Sequence, residues 1–118
     1  MNIFIVGEGF GGLALAAYLH RDGHSVTIVD SKKNRQYKGF VIGLWRNGLH
    51  TLKPFGVIDR IHSLGYPIVE EMDRDKAGKI PAMRDYHHLI EHYGPVCNVL
   101  YADLYTILQR ISSASKTA

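Results

Sequence analysis

Apolar residues near the start of the chain form two short runs on either side of a helical segment. Residues 2–6 (NIFIV) are β-branched and aromatic, as is typical of a buried strand. Residues 13–21 (LALAAYLHR) are strong helix formers with a basic end, and an Asp-Gly turn follows them. Residues 25–30 (SVTIVD) form a second strand-like run that ends in an acid. This order predicts a βαβ unit over residues 1–30, with parallel strands and a right-handed crossover.

The segment from residue 40 to residue 64 predicts one further strand and two helical stretches. Residues 40–45 (FVIGLW) form an apolar run that is typical of a short strand. Residues 47–55 and 57–64 carry apolar side chains at helical spacing, and Gly56 separates the two stretches.

The rest of the chain predicts a β-hairpin, a strand and a terminal helix. Two strand-like stretches flank the turn DRDKAG, which gives a hairpin excursion over residues 66–84. Residues 86–95 are rich in His and Tyr and carry no pattern that assigns them to an element. The remaining predictions are a strand over residues 96–101, a helix over residues 104–111 that Asp103 caps, and a polar tail over residues 112–118.

Composition places the chain among ordinary globular proteins. Its 118 residues are 46% hydrophobic and 21% charged, which argues against a wholly disordered chain. The net charge of +3 is too small and too scattered to indicate a nucleic-acid partner. The apolar start has no basic segment before it and is interrupted by glycines, so we expect no membrane segment and a cytoplasmic location. The single cysteine, Cys97, is interpreted as a small buried apolar residue.

The loop between the first strand and the first helix carries a glycine motif. Gly7, Gly9 and Gly12 give the spacing G-x-G-x-x-G between a predicted strand and a predicted helix. Gly7 allows a tight turn, Gly9 lets a pyrophosphate approach the backbone, and Gly12 lets the helix pack closely on the strand. The backbone N–H groups of Phe10 and Gly11 would face the phosphates at the start of the helix. The motif predicts a dinucleotide site in a Rossmann-like fold.

Asp30 is the second candidate binding residue. It lies at the end of the second predicted strand, 23 positions after Gly7, where an acid can accept hydrogen bonds from the adenosine ribose. A carboxylate there disfavours a 2′-phosphate and hence NADP at this site. The alternative is a tight strand-to-helix turn followed by a surface aspartate. The loop and the acid together leave the choice between NAD and FAD open.

The segment after the βαβ unit resembles that of the class A FAD-dependent monooxygenases, the aromatic-hydroxylase-like flavoproteins. In that family a glycine-led strand is followed by an L-W-x-N-G/A stretch, a short helix and an L-G-L-x-D sequence. A later family helix begins with the pattern R-x-x-L-x-x-x-L. The matching residues here are Leu44, Trp45, Asn47, Gly48, Leu52, Phe55, Gly56, Val57, Asp59, Leu104 and Leu108. The resemblance places Trp45 in a run that packs the domain, which implies a position in the core, with stacking on a ring as the alternative.

The resemblance implies an FAD-binding portion of an enzyme that hydroxylates an organic, often aromatic, substrate with NAD(P)H and O2. It implies an α/β fold with a parallel sheet plus the start of a small additional β-sheet, and a single truncated FAD-binding domain over residues 1–111. Tyr101 stands where the family has an arginine that helps to hold the flavin. Arg35 lies in the loop where relatives place an arginine near the cofactor, with a solvated charge as the alternative. Apolar faces exposed by the truncation would favour self-association.

Two other functions stay open at this point. The chain could be a non-catalytic relative that binds an ADP-containing nucleotide or a partner chain, or a fragment of an NAD-binding dehydrogenase. The sequence identifies no catalytic acid, base or nucleophile. His88 and His92 are four positions apart, and Asp85 or Glu91 could serve as a third ligand. The HExxH spacing of a known zinc motif is absent, however, so we expect no metal site.

Overall fold

The computed structural model describes residues 1–32 and 39–113. These residues divide into two compact units. The first unit contains the chain up to Phe40 together with the described residues from Leu100 onward, and the second contains Val41–Val99. The last helix of the chain therefore belongs to the same unit as the first strand.

The described elements are short strands and helices of at most 12 residues. A 3₁₀ turn at Lys53–Phe55 follows the second helix. In order, the elements are β1 (Asn2–Val6), α1 (Phe10–Arg21), β2 (Ser25–Val29), β3 (Val41–Leu44), α2 (Arg46–Leu52), α3 (Ile58–Leu64), β4 (Tyr66–Pro67), β5 (Glu70–Asp73), β6 (Ala82–Asp85), α4 (His87–Tyr93), β7 (Cys97–Leu100) and α5 (Tyr101–Ser112).

The first unit confirms the predicted βαβ arrangement. Strands β1 and β2 pair in parallel, with Asn2 beside Ser25 at one end and Val6 beside Val29 at the other. One face of this sheet packs on α1 through a cluster of Ile5, Ala16 and Val26, with Ile3, Leu19 and Ile28 at its margin. The glycine loop follows β1 directly and therefore lies at the carboxyl end of this strand.

Helix α5 packs against α1 in the same unit. Its buried side chains Leu104, Ile107 and Leu108 recur at helical spacing, as the sequence predicts. The predicted cap is wrong, because the helix begins at Tyr101 and its N-cap is Leu100, which makes no side-chain capping bond. Asp103 lies inside the first turn, where its carboxylate still interacts favourably with the positive end of the helix dipole.

The second unit contains two small sheets. One has the strand order β3-β7-β4, with Tyr66 of β4 antiparallel to Asn98 of β7. The other is the β5-β6 hairpin, in which Glu70 lies opposite Asp85. Together with the parallel pair they confirm the predicted α/β class with additional β-structure.

Helix α4 lies in the segment that the sequence pattern leaves unassigned. Its first turn is closed by the amide of Ile90, which donates to the carbonyl of Tyr86 at 2.9 Å. Gly94 then ends the helix with a φ of 82°, a conformation that favours glycine. Hydrophobic periodicity does not reveal this helix in the sequence, because only a few of its positions are apolar. Among the described residues, no helix is long and apolar enough to cross a membrane.

Cys97 is buried, which agrees with the interpretation of its sequence. Its side chain is 3% exposed, and a Cβ at Gly65 would collide with its sulfur. Burial raises the pKa of the Cys97 thiol above its ordinary value, so little thiolate forms at neutral pH.

We therefore expect Cys97 to be inert in the folded chain. At pH 8 the native protein should react with Ellman's reagent at least about tenfold more slowly than the same protein in denaturant, because both access and thiolate formation are restricted. Absorbance of the released thionitrobenzoate measures both rates. Equal rates before and after unfolding would show that the Cys97 thiol is exposed.

Candidate functional site

The glycine loop connects β1 to α1 in the first unit. Gly7 has a φ of 108°, a left-handed value that residues with a side chain rarely adopt. Its amide donates a 2.7 Å hydrogen bond to the carbonyl of Val29 at the end of β2. Glycine at this position therefore allows the chain to turn sharply while it stays bonded to the neighbouring strand.

Gly12 lies where α1 crosses close to the loop. A Cβ built at this position would collide with the carbonyl oxygen of Gly7 and would lie 3.4 Å from Cγ2 of Ile5. The colliding atom belongs to the backbone, so a side chain could not be accommodated by a simple rotamer change. This geometry matches the packing role that the sequence predicts for Gly12.

Gly9 and Gly11 lie beside open space. Apart from the chain neighbours and the backbone of α1 itself, no heavy atom of the described residues lies within 4 Å of a Cβ built at either position. Gly9 is the N-cap of α1, with φ −83° and ψ 179°, and makes no side-chain capping bond. The first turn of α1 contains no acidic residue. The positive end of the helix is thus open to an approaching phosphate, which is the geometry that a pyrophosphate site needs.

Asp30 follows β2 and lies against the glycine loop. Its Oδ2 accepts a 2.7 Å hydrogen bond from the amide of Glu8, and its Oδ1 accepts one of the same length from the amide of Lys32. Hydrogen bonds to the charged form fix the orientation of the carboxylate. Each carboxylate oxygen can accept more than one hydrogen bond, so these contacts are compatible with a ribose hydroxyl as a further donor.

An aromatic pair flanks the start of α1. The rings of Phe10 and Tyr101 stack with their centroids 4.1 Å apart and an interplanar angle of 24°. The amide of Tyr101 donates to the carbonyl of Phe40 at 2.8 Å, which holds the start of α5 in this position. This pair was not predicted from the sequence, because the contact joins residues 91 positions apart and depends on how α5 packs on α1.

A polar contact also joins the loop to α5. Nε2 of Gln109 donates a hydrogen bond of 3.2 Å to Oε1 of Glu8. Since the amide of Glu8 donates to Asp30, Glu8 contacts both the residue that follows β2 and helix α5. The loop is therefore held by contacts on two sides in addition to its own turn.

Arg35 and Trp45 are two further residues for which the sequence analysis gives a predicted position. Arg35 lies outside the described residues. Trp45 is 45% exposed, so the prediction that it packs in the core is wrong. Its ring contacts Tyr86 edge-to-face, with centroids 5.2 Å apart at 84°, and this contact covers one part of the indole only.

Among the residues that the structure describes, the histidines of α4 do not form a metal site. The rings of His88 and His92 lie one helical turn apart, with centroids separated by 4.4 Å. Across residues 1–32 and 39–113, no group of three His, Cys, Asp or Glu side chains could hold a metal ion. His87 instead pairs with Asp85, whose pKa is lowered by hydrogen bonds from the amide and ring of His87.

The β5-β6 hairpin carries a network of paired charges. The hydroxyl of Tyr86 donates to Oε2 of Glu71 at 2.6 Å, which lowers the pKa of Glu71 and raises that of Tyr86. Arg84 pairs with both Glu71 and Asp73, at 3.3 and 3.1 Å. These groups satisfy one another across the hairpin, so we interpret them as cross-strand pairs that support the sheet.

Comparisons with known proteins point to one family. Residues 1–114 match the model of the family described as "FAD binding domain". The FAD-dependent urate hydroxylase of Klebsiella pneumoniae is 28% identical over 106 residues, which cover 88% of this chain and 28% of the relative. The hispidin-3-hydroxylase of Neonothopanus nambi is 30% identical over 115 residues, covering 95% of this chain and 26% of the relative.

A solved structure agrees with these matches. The crystal structure of Klebsiella pneumoniae HpxO, complexed with FAD and uric acid, superimposes with a TM-score of 0.78 at 26% identity. The superposition covers 93% of this chain and 28% of HpxO. The chain thus spans little more than a quarter of the length of the proteins it matches.

Proposed function

The chain belongs to the FAD-binding domain family, and from that premise we propose that it is the N-terminal FAD-binding portion of a monooxygenase. The whole enzyme would hydroxylate a small organic substrate with NAD(P)H and O2. The observation that carries the proposal is the glycine loop of the first unit. There Gly7 needs a positive φ, Gly12 has no room for a Cβ, and Gly9 borders open space at the start of α1.

The residues present fit the adenosine diphosphate part of FAD. A side chain at Gly9 would project into open space beside the helix start, and its absence leaves that space to the pyrophosphate. The amides of Phe10 and Gly11 would donate to the phosphate oxygens, and Asp30 would accept from the ribose. Arg35 is proposed as a further contact with the cofactor. When bound, the flavin supplies the redox and oxygen chemistry, and the protein supplies its position.

An absorbance titration tests this function against its two rivals. The purified chain is mixed with FAD, with ADP and with NADH, and flavin perturbation or nucleotide binding is measured in each case. FAD binding supports the proposal. Binding of ADP without FAD would favour the non-catalytic nucleotide-binding relative, and selective binding of NADH would favour a dehydrogenase fragment.

Removing the charge of Asp30 should weaken FAD binding. An amide side chain is uncharged and has an NH2 group in place of one carboxylate oxygen. Asp30→Asn therefore loses the acceptor for either the Glu8 or the Lys32 amide and offers the ribose a weaker acceptor. We expect the Kd for FAD to rise about tenfold, from the loss of a charge-assisted hydrogen bond. Quenching of flavin fluorescence measures the Kd.

The control for this variant is Asp22→Asn. Asp22 is an exposed acid at the end of α1, away from the helix start, and its replacement changes the net charge by the same amount. Its Kd should match that of the unmodified chain. An unchanged Kd for Asp30→Asn would remove the ribose role from Asp30.

The uncovered face of the β1-β2 sheet suggests self-association. Phe4, Val6 and Val29 are 72%, 87% and 45% exposed, which is unusual for apolar residues on neighbouring strands of one sheet. We expect a concentration-dependent increase in mass in sedimentation velocity, and Phe4→Ser with Val6→Ser should reduce it. A monomer at all concentrations would contradict this expectation.

The remaining parts of the proposal concern organisation and location. Residues 1–111 are proposed to act as one FAD-binding domain, with the hairpin of residues 66–84 as the beginning of a further sheet. A cytoplasmic location is proposed with it, because the single buried thiol of Cys97 fits a reducing compartment.

A further inference from the structure

A cavity of about 450 Å³ lies in the second unit, among residues that the FAD proposal does not use. Its walls come from α2, the following 3₁₀ turn, α3 and the Gly94-Pro95 segment. A cavity of this volume falls within the range of small-molecule sites in proteins. Its lining therefore indicates which chemical class of ligand it could take.

Nitrogen-bearing side chains dominate the polar part of the wall. Arg46 and His50 come from α2, Lys53 from the 3₁₀ turn and His62 from α3. Among the described residues of the lining, Asp59 is the acidic one. With Arg46 and Lys53 charged at neutral pH, the wall carries a net positive charge before any contribution from the imidazoles. A cavity with this balance attracts anions and disfavours cations.

The same cavity has an apolar portion. Leu49, which is buried, and Ile58 contribute apolar surface next to the basic groups. A bare inorganic ion would leave this surface in contact with water. An organic anion could place its charged end near the cations and cover the apolar wall with its carbon skeleton.

The hydrogen bonding of His62 in this wall is unusual. Among the described residues, its Nε2 is a buried side-chain nitrogen with no hydrogen-bond partner. An unsatisfied buried polar atom costs free energy, and such groups in native structures call for an explanation. His62 lines the cavity, and a ligand oxygen could satisfy Nε2 once the ring turns to expose it, because Nε2 is shielded from solvent in this structure.

We propose that this cavity binds a small phosphate monoester with a compact apolar group. A phosphate carries close to two negative charges at neutral pH and offers three acceptor oxygens, which suits a wall with two cations and an unsatisfied imidazole nitrogen. The planar guanidinium of Arg46 is suited to phosphate oxygens in pairs, while Lys53 acts as a point charge. Leu49 and Ile58 contact the ester's carbon atoms.

Phenyl phosphate is the probe for the test. The isotope-labelled full chain is titrated while amide NMR signals are followed, with benzyl alcohol as a neutral analogue of similar shape. We expect phenyl phosphate to shift signals in residues 46–62 and 94–95, and benzyl alcohol to bind at least about tenfold more weakly. Saturating FAD should leave the phenyl phosphate shifts in place, because FAD is proposed to bind in the first unit.

Two variants and one control link binding to the cavity. Lys53→Ala removes a cation, and His62→Phe removes the imidazole nitrogens but keeps an aromatic ring. Each should raise the Kd for phenyl phosphate about tenfold. Lys76→Ala removes one charge from the exposed hairpin turn and should leave the Kd unchanged.

Several results would overturn the proposal. One is the absence of shifts in residues 46–62. Another is shifts confined to the glycine loop, which would mean that the anion binds only at the start of α1. Equal affinity for benzyl alcohol, or equal weakening by Lys53→Ala and Lys76→Ala, would show that the cavity does not select an anion through its own cations. Apart from shifts at the glycine loop, which concern the proposed phosphate site itself, these results would not bear on FAD binding in the first unit.

Discussion

Replacing Gly9 by leucine should abolish FAD binding and leave the fold intact. The backbone at Gly9 is extended, with φ −83° and ψ 179°, so a residue with a side chain can adopt it. A Cβ there meets no protein atom within 4 Å, so the side chain would occupy the space proposed for the pyrophosphate. We expect the Kd for FAD to rise at least about a hundredfold, because several hydrogen bonds to charged phosphate oxygens are lost together.

Thermal unfolding and a second substitution with a smaller side chain complete the test at Gly9. The free energy of unfolding should change by less than about 1 kcal/mol, because Gly9 makes no side-chain capping bond in the unmodified chain. Gly9→Ala should weaken binding less than Gly9→Leu, since its side chain fills less of the space. Tight FAD binding by Gly9→Leu would place the cofactor elsewhere.

Replacing Gly12 by alanine should instead destabilise the fold. Alanine favours a helix over glycine by about 1 kcal/mol, which by itself would stabilise α1. The added Cβ, however, collides with the carbonyl oxygen of Gly7, and relief requires a shift of backbone in the loop or the helix. Overpacking of this kind costs about 1–3 kcal/mol, and a clash against backbone belongs at the upper end. We expect a net loss of about 2 kcal/mol and a fall in Tm of roughly 10 °C.

Gly11→Ala is the matched control for Gly12→Ala. It lies one position earlier in the same helix, and its Cβ would meet no atom within 4 Å. Here the helix propensity of alanine acts unopposed, so the Tm should stay the same or rise slightly. Calorimetry of both variants measures the difference. A Tm for Gly12→Ala equal to that of Gly11→Ala would mean that α1 does not pack on the loop as closely as the structure shows.

The glycine loop was predictable from the sequence because its causes are local. The positive φ of Gly7 and the open N-cap at Gly9 depend on a strand, a tight turn and a helix that follow one another directly. Even the clash at Gly12 involves a residue only five positions away. Motif spacing captures such geometry, since the same short segment contains both the cause and the consequence.

The structural features that were not predicted from the sequence depend on contacts between distant residues or on weak hydrophobic patterns. Tyr101 meets Phe10 because α5 packs on α1, and no spacing in the sequence encodes that contact. Trp45 is 45% exposed although its ring contacts Tyr86, and this contact joins residues 41 positions apart. Helix α4 has too few apolar positions for periodicity to reveal it, although a glycine ends it in the usual way.

Competition between FAD and its parts tests the central claim most directly. If the glycine loop and Asp30 hold the adenosine diphosphate part, ADP should displace FAD from the chain. FMN, which has the flavin but no adenosine, should bind at least about tenfold more weakly than FAD. Fluorescence anisotropy of the flavin measures both affinities in one titration series. The account predicts binding of FAD over FMN with displacement by ADP, and equal affinity for FAD and FMN without such displacement would contradict it.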